Sequence, residues 1–506
     1  MKEKTRSFYA MKNVFMGYAC TFFMDLIAFT NRTVLVWVLG KNYVGINGLF
    51  TDILGVLSFA ELGIGTALNF SLYKPIAEND KEKVKSLMQL YKTAYRVIAC
   101  VIALVGICLL PFLQYIVKDP GNVGNIRIYY CVFLFNTVTS YFVSYKYSLV
   151  NARQENYLFS ILNMVTRSTV LLVQIGALYA SKNYLIYLMA GVVIDLMQKV
   201  WVSHYLNRRY PVLNEKNISP LKSAEKASIW KNVRALIWHK VGEVSVHQTD
   251  NIIVSVFIDI ATVGKVTYHN SFIQAANQLL SVAMNAVVGG LGNAISREDT
   301  EKKYALFKAY RFVAFWLYGY AAIGLYIMLP KLVKLLVGED MLLPDIVLFL
   351  VLLNFYLMGK RIALNNMKIA GGIFQEDKFV ALLQAGVNIV ASIFFVKQIG
   401  LPGVYVGTVL QGLLATIIKP IIIYKNMFHQ KATEYFISGG KYLASVFFAG
   451  SLCVWGSRLW FQDITLFHFV LEIIFVSLIV NSIFLLFFKN TKEFQYIWTL
   501  LRKHKG

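Results

Sequence analysis

Residues 465–488 read TLFHFVLEIIFVSLIVNSIFLLFF, a run with one charged side chain. About 20 such residues coiled into a helix cross the hydrocarbon core of a bilayer, and the same signature recurs along the rest of the chain. Working back from this run, about fourteen spans can be placed. Six lie near 14–39, 45–70, 86–116, 127–149, 157–180 and 184–206. A polar stretch from Asn207 to Ala235 follows, then six more near 236–257, 264–290, 304–329, 343–358, 376–396 and 404–424. Another near 441–459 and the opening run complete the set. The second, around Phe59, and the eighth are the weakest by hydropathy.

Composition agrees. Of 506 residues, 57% are apolar and 15% charged, where a soluble domain carries about 25% charged residues. Mean hydropathy is +0.56. The cysteines Cys20, Cys100, Cys108, Cys131 and Cys453 show neither metal-ligand nor disulfide spacing. No cleavable signal peptide is evident, because Met1–Lys12 is polar and the first apolar run is too long for one. The longest polar segment is too short for a soluble catalytic domain, and no phosphate-binding loop opens a soluble helix. The chain reads as a transporter and not an enzyme.

The formal charge of +23 would suggest nucleic acid in a soluble protein, but its placement argues for membrane topology. Short cytoplasmic loops are enriched in Lys and Arg. With the N-terminus inside, the termini and alternate loops hold most of the basic residues, among them Lys2, Lys4, Arg6, Lys83, Arg208, Arg209, Lys303, Arg361 and Lys503. The outside loops hold few, such as Lys41, Lys118, Lys182 and Lys265. Both termini are therefore expected in the cytoplasm, and no nucleic-acid partner is required.

A shift of 219 positions lays Lys12-Asn13-Val14 on Lys231-Asn232-Val233, Thr30 on Thr249, Val44-Gly45 on Val263-Gly264, and Asp80 on Asp299. Further on, Ala94-Tyr95-Arg96 is echoed by Ala309-Tyr310-Arg311. Equivalent positions are six spans apart, so the two halves share one orientation. This is a parallel duplication, as in some secondary transporters. It divides the chain into an N-lobe (1–206), an inter-lobe linker (207–235), a C-lobe (236–425) and a two-helix extension with a basic tail (426–506). The expected fold is an all-α polytopic membrane protein with two parallel six-helix lobes plus two C-terminal helices.

Ionisable groups at membrane depth usually face a bundle interior or a wet cavity. Lys240, Glu243, His247 and Asp250 share one face of the seventh span, and Asp25 and Arg32 share one face of the first. At about 2.5–3.5 kcal/mol per charge near a helix centre, those faces cannot look at lipid. Asp52 and Glu61 lie on the second span, Lys92 and Arg96 on the third, Arg167 on the fifth, and Asp195 and Lys199 on the sixth. Lys240 with Glu243, and Asp195 with Lys199, are also spaced as helical ion pairs that would lock a bundle. His247 is either a hydrogen-bonded core histidine or a proton-sensing group. The glycines Gly45, Gly48, Gly63, Gly65, Gly289, Gly290 and Gly292 lie on the second and eighth spans, where small residues allow close packing or bending.

Val44-Gly45-Ile46-Asn47-Gly48-Leu49-Phe50, Ala60-Glu61-Leu62-Gly63-Ile64-Gly65 and Leu72-Tyr73-Lys74-Pro75-Ile76 resemble the signature of bacterial Wzx-like polysaccharide flippases. So do Lys231-Asn232-Val233, His239-Lys240-Val241-Gly242 and Thr249-Asp250-Asn251-Ile252-Ile253. These proteins form the polysaccharide-transport branch of the multidrug/oligosaccharidyl-lipid/polysaccharide (MOP) flippase superfamily. The resemblance covers roughly the first 425 residues and implies a MATE-like V of two lobes that opens alternately to each side of the bacterial cytoplasmic membrane. It implies as passenger an oligosaccharide repeat unit linked by pyrophosphate to undecaprenol, moved for surface polysaccharide assembly beside a polymerase machinery. Arg32, Arg167, Lys199, Lys240 and Arg96 then become candidate ligands of the anionic headgroup. Asp25, Asp52, Glu61, Asp195, Glu243, His247 and Asp250 become candidates for charge balance or for a coupling Na+ or H+. No resident cofactor or metal is implied. Bases and acids at membrane depth are equally numerous, so the set is not a plainly cationic trough. A cation-coupled exporter of small molecules is the second reading, and a membrane polysaccharide polymerase the third.

Overall fold

The computed structural model describes residues 3–61, 64–153, 155, 157–215, 248–285, 299–371, 373, 379–461 and 465–503, with isolated positions between 221 and 233. Helices, turns and short connections account for all of them, and no strand occurs among the described residues. Eleven helices in that set are long and apolar enough to cross a membrane. They coincide with every expected span except the second, seventh and eighth. Large apolar side chains lie bare on the outside, among them Phe70, Leu172, Val390 and Leu486 at 70–72% exposure. In water so much exposed apolar surface would aggregate, whereas against acyl chains it costs nothing. The chain is an all-α, multi-pass membrane protein.

Two compact units divide it, Met1–Tyr268 and His269–Gly506. That boundary lies later than the 207–235 linker drawn from the duplication, and it falls inside a helix.

In the first unit, helix α1 (Glu3–Leu39) stops at Gly40, whose φ of +93° suits a residue without Cβ. Helix α2 (Lys41–Leu57) starts immediately after. The expected span over 45–70 is not one helix: a 3₁₀ turn at Ser58–Glu61 separates α2 from α3 (Ile64–Ala77). The sequence supplies the break, because the Ser58 hydroxyl donates to the Gly55 carbonyl at 2.6 Å, a local bond that competes with the helical ladder. Side-chain N-caps start the next helices. Asp80 accepts from the Lys83 amide at the head of α4 (Lys81–Leu109). Asn125 heads α5 (Ile126–Ala152), and Asn183, after α6 (Tyr157–Ser181), heads α7 (Tyr184–Arg209). Each satisfies amides that the first turn leaves free.

From the seventh and eighth spans the structure describes α8 (Asp250–Phe257) and α9 (Ile260–Asn285). The start of α9 crosses α2 at the two glycines that the duplication pairs. A Cβ on Gly45 would run into the Ile260 carbonyl oxygen, and a Cβ on Gly264 into the Lys41 carbonyl oxygen. Lys41 and Ile260 are themselves repeat equivalents, so the contact is reciprocal, as a local two-fold demands. The next equivalents along, Gly48 and Thr267, also touch: a Cβ on Gly48 would overlap the Thr267 hydroxyl. Of the close-packing and bending roles open to these glycines, Gly45 and Gly48 take the first. Gly63, Gly289, Gly290 and Gly292 lie outside the described residues.

The second unit contains α10 (Thr300–Val337), α11 (Asp345–Gly371), α12 (Val380–Ile399), α13 (Leu401–Ile423), α14 (Thr433–Trp460), α15 (Leu466–Phe488) and α16 (Lys492–Lys503). At 38 residues, α10 is about 57 Å long. The tight α12–α13 hairpin turns at Gly400, with φ +67°. Gly403 and Gly407 let α13 lie against the backbone of Phe395 and Ser392. The extension is fastened to α10 by Lys331, which donates to Glu472 at 2.6 Å, to the Phe461 carbonyl at 2.7 Å and to Ser457 at 3.2 Å. One correction concerns α11. It runs past the expected 343–358, so Arg361 is not a loop residue on the inside but a helical one, 6% exposed.

Gly45→Ala and Gly264→Ala should each destabilise the purified protein by about 1–3 kcal/mol, the usual range for overpacking. Gly176→Ala, where a Cβ meets nothing within 4 Å, should be neutral or gain up to about 1 kcal/mol in helix propensity. Thermal unfolding in detergent compares the three.

Candidate functional site

Helices α1, α2, α5, α6 and α7 enclose a cavity of about 430 Å³ in the first unit. Its lining is unusual for membrane depth. Asp25, Asn31, Asn47, Asn136, Arg167, Gln174, Tyr187 and Asp195 all reach it. Three of the side chains singled out from sequence, Asp25, Arg167 and Asp195, are thus brought to one chamber from the first, fifth and sixth spans.

Two hydrogen-bonded relays shape its wall. In the first, Asn136 Nδ2 donates to Asp195 Oδ2 at 3.0 Å, while Asn136 Oδ1 accepts from Lys199 Nζ at 2.7 Å. Lys199 also donates to the Asn136 carbonyl at 2.8 Å and to Thr139 Oγ1 at 3.0 Å. Arg167 Nη1 stands 3.9 Å from Asp195 Oδ2. Asp195 and Lys199 are therefore not the direct helical ion pair their spacing allows: one amide from α5 sits between them, polarised at both ends. The second relay runs from the Tyr187 hydroxyl to Asn31 Oδ1 at 2.9 Å and from Asn31 Nδ2 to Gln174 Oε1 at 2.7 Å. It closes from Gln174 Nε2 to the Tyr187 carbonyl at 3.2 Å. Gly191 makes room for it, since a Cβ there would strike the Gln174 amide. Buried amides with both ends occupied hold fixed orientations, so the free faces of the wall are preset.

The other expected site residues lie around this chamber or away from it. Arg32, half-buried on α1, is within electrostatic reach of Tyr187, Asp52 and Asp25. Asp52 accepts from Asn251 Nδ2 at 2.6 Å and is also within reach of Asp250. Glu61 is held in the break between α2 and α3 by the Tyr95 hydroxyl at 3.0 Å, away from the cavity lining. Arg96 is exposed on α4. Lys240, Glu243 and His247 lie outside the described residues.

Charge in the lining is near balance, with Asp25 and Asp195 against Arg167, and Lys199 directly behind. Sequence reasoning restricted to ionisable groups missed the neutral half of the site: Asn31, Asn136, Gln174 and Tyr187. Amides inside apolar runs were the available signal, since each needs a partner in hydrocarbon as a charge does. Lys146 was also missed. It is 4% exposed and spends its three donors on Ser203 Oγ, the Ser203 carbonyl and Asn207 Oδ1, at 2.7, 3.2 and 2.7 Å. The second unit has an apolar groove of about 430 Å³ between α10, α11 and α14, walled by Tyr326, Phe349, Tyr356, Phe447 and Trp455.

No protein-family profile matches the chain, and no curated protein matches it in sequence. Solved structures do. The lipid II flippase MurJ in an inward closed conformation superposes with a TM-score of 0.68 at 13% identity, over 94% of this chain and 99% of that one. An inward-facing multidrug resistance MATE family transporter of the MOP superfamily gives 0.62 at 14%, over 78% and 92%. The MATE multidrug transporter DinF-BH in complex with R6G gives 0.58 at 16%, over 84% and 97%. The chain has the fold of these proteins. At such identities the likeness is one of architecture, and every residue of the chamber stands on the geometry given above.

Asn136→Leu should strip Asp195 and Lys199 of their shared partner and destabilise the protein by about 2–3 kcal/mol, the scale for orphaned buried or charged groups. Leu172→Ala, on the exposed side of α6, should change stability by less than about 0.5 kcal/mol. Chemical or thermal unfolding of the two variants separates them.

Proposed function

We propose that the chain is a secondary-carrier flippase. It moves undecaprenyl-pyrophosphate-linked oligosaccharide repeat units across the bacterial cytoplasmic membrane by alternating access, for surface polysaccharide assembly. The observation that carries this reading is the polar seam in the wall of the first-unit chamber, where Asn31, Asn47, Asn136, Gln174, Tyr187 and three charged side chains interrupt an otherwise apolar lining. Sugar hydroxyls donate and accept at once, and amide side chains offer both functions in fixed directions.

In this reading Arg32, Arg167, Lys199 and Lys240 hold the pyrophosphate, arginine through its planar fork and lysine as a point charge. Arg96, exposed on α4, serves approach of the headgroup. Asp25, Asp52, Asp195, Asp250, Glu61, Glu243 and His247 balance those cations or take a coupling Na+ or H+. Polymerase machinery would receive the product, and both termini lie in the cytoplasm. One feature favours a second reading, export of small cations: the chamber lining itself has two carboxylates against one guanidinium.

Arg32→Ala and Lys240→Ala should each abolish surface polysaccharide while protein levels stay near normal; unchanged polymer from both removes these residues from the site. Purified protein in liposomes should translocate a fluorescent lipid-pyrophosphate sugar without ATP. Gradient-driven efflux of a dye such as R6G, with no movement of the lipid-linked sugar, would establish the exporter instead.

A further inference from the structure

The second unit buries three cations around one phenol. Arg311 on α10 is 2% exposed, and Lys360 and Arg361 on α11 are 8% and 6% exposed. Tyr435, at the head of α14 and fully buried, is their common neighbour. The Arg311 guanidinium carbon lies 4.5 Å from its ring centroid and Lys360 Nζ lies 5.2 Å from it. Its hydroxyl is within electrostatic reach of both Arg311 and Arg361. Tyr442, about two helical turns further along α14, gives Arg311 a second ring at 5.4 Å.

No carboxylate among the described residues pairs with any of the three. Glu434 on α14 stands 3.6 Å from Lys308, and Glu493 on α16 comes within electrostatic reach of Tyr442 but forms no ion pair with the three cations. Arg311 donates from Nη2 to Ser438 Oγ, and Arg361 to the carbonyls of Leu357 at 3.2 Å and Gly412 at 3.3 Å. These are neutral acceptors. The Tyr424 and Tyr442 hydroxyls lie toward Arg311, yet its Nε and Nη1 and the hydroxyls of Tyr356 and Tyr435 are buried without a well-aligned partner among the described residues. Lys146 in the first unit shows the contrast, a buried cation whose three donors are all used. Aromatic faces relieve a buried cation only in part, and like charges at low dielectric repel strongly.

We propose that this cluster is a binding site for a small inorganic anion of the halide class, chloride in the cell. The anion would accept hydrogen bonds from Arg311 and the Tyr435 hydroxyl and be balanced by Lys360 and Arg361. Tight burial selects a monatomic ion over a bulky oxyanion. Since Tyr435, Ser438 and Tyr442 belong to α14, the ion would also fasten the C-terminal extension to α10 and α11. This site is independent of the first-unit chamber and of the passenger it carries.

The test uses the purified full-length protein in detergent, with melting followed at constant ionic strength as sodium gluconate is replaced by sodium chloride or bromide. The expected result is a saturable rise in melting temperature with either halide, and crystals soaked in bromide should show an anomalous peak at the edge of the Arg311–Tyr435 stack, beside the Tyr435 hydroxyl. Tyr435→Phe, which removes only a hydroxyl, should shift the halide midpoint about tenfold, equivalent to ~1.4 kcal/mol. Lys360→Met should weaken the response at least as much. Equal melting in gluconate and halide, or a wild-type midpoint in both variants, overturns the proposal. A response to inorganic phosphate but not to bromide overturns the halide assignment.

Discussion

A charge or an amide at bilayer depth has no water to fall back on, so its partners must come from the protein. That constraint organises everything polar in this molecule. The first unit meets it with relays in which a neutral amide stands between ions, Asn136 between Asp195 and Lys199. A dipole shared by two opposite charges is held at both ends, so the relay fixes geometry without a tight ion pair. It also leaves the net charge of the chamber close to zero. The second unit meets the same constraint differently, packing Arg311 and Lys360 on the Tyr435 ring.

The contact between Gly45 and Gly264 shows what the duplication means physically. Two helices that the 219-residue shift pairs touch at the same residue, backbone against backbone, with each glycine blocked by the carbonyl of the other's equivalent neighbour. Only hydrogen fits at both places. Between helices in lipid, where burial of apolar side chains gains little, such close approach supplies dispersion contact directly. The selection for glycine at 45 and 264 is thus a single constraint read twice.

Much of this was legible in the residues. Long apolar runs located the helices, and the two runs weakest in hydropathy are those whose helices are interrupted or too polar to stand as spans by composition. Ser58 and Glu61 in the middle of the second run were the visible trace of its break. Asp25, Arg167 and Asp195 were recognised because a charge in an apolar run has to serve some purpose. Their amide partners were not, because Asn and Gln are common enough in membrane helices to escape notice until a partner is seen. Arg361 was misplaced because hydropathy falls where α11 becomes polar, although the helix continues to Gly371.

Arg96 and Arg311 mark where sequence stops and tertiary structure begins. They occupy equivalent places in the two halves, each following an Ala-Tyr pair. Sequence alone established the membrane class, most of the approximate spans and the roster of ionisable groups within them. It could not say that Arg96 would lie exposed while Arg311 is 2% exposed. That difference was decided by α14, more than a hundred residues further on, which lays Tyr435, Ser438 and Tyr442 over Arg311. Burial depends on whatever packs against a residue, and for a charge in a membrane protein the neighbour that matters is usually distant along the chain.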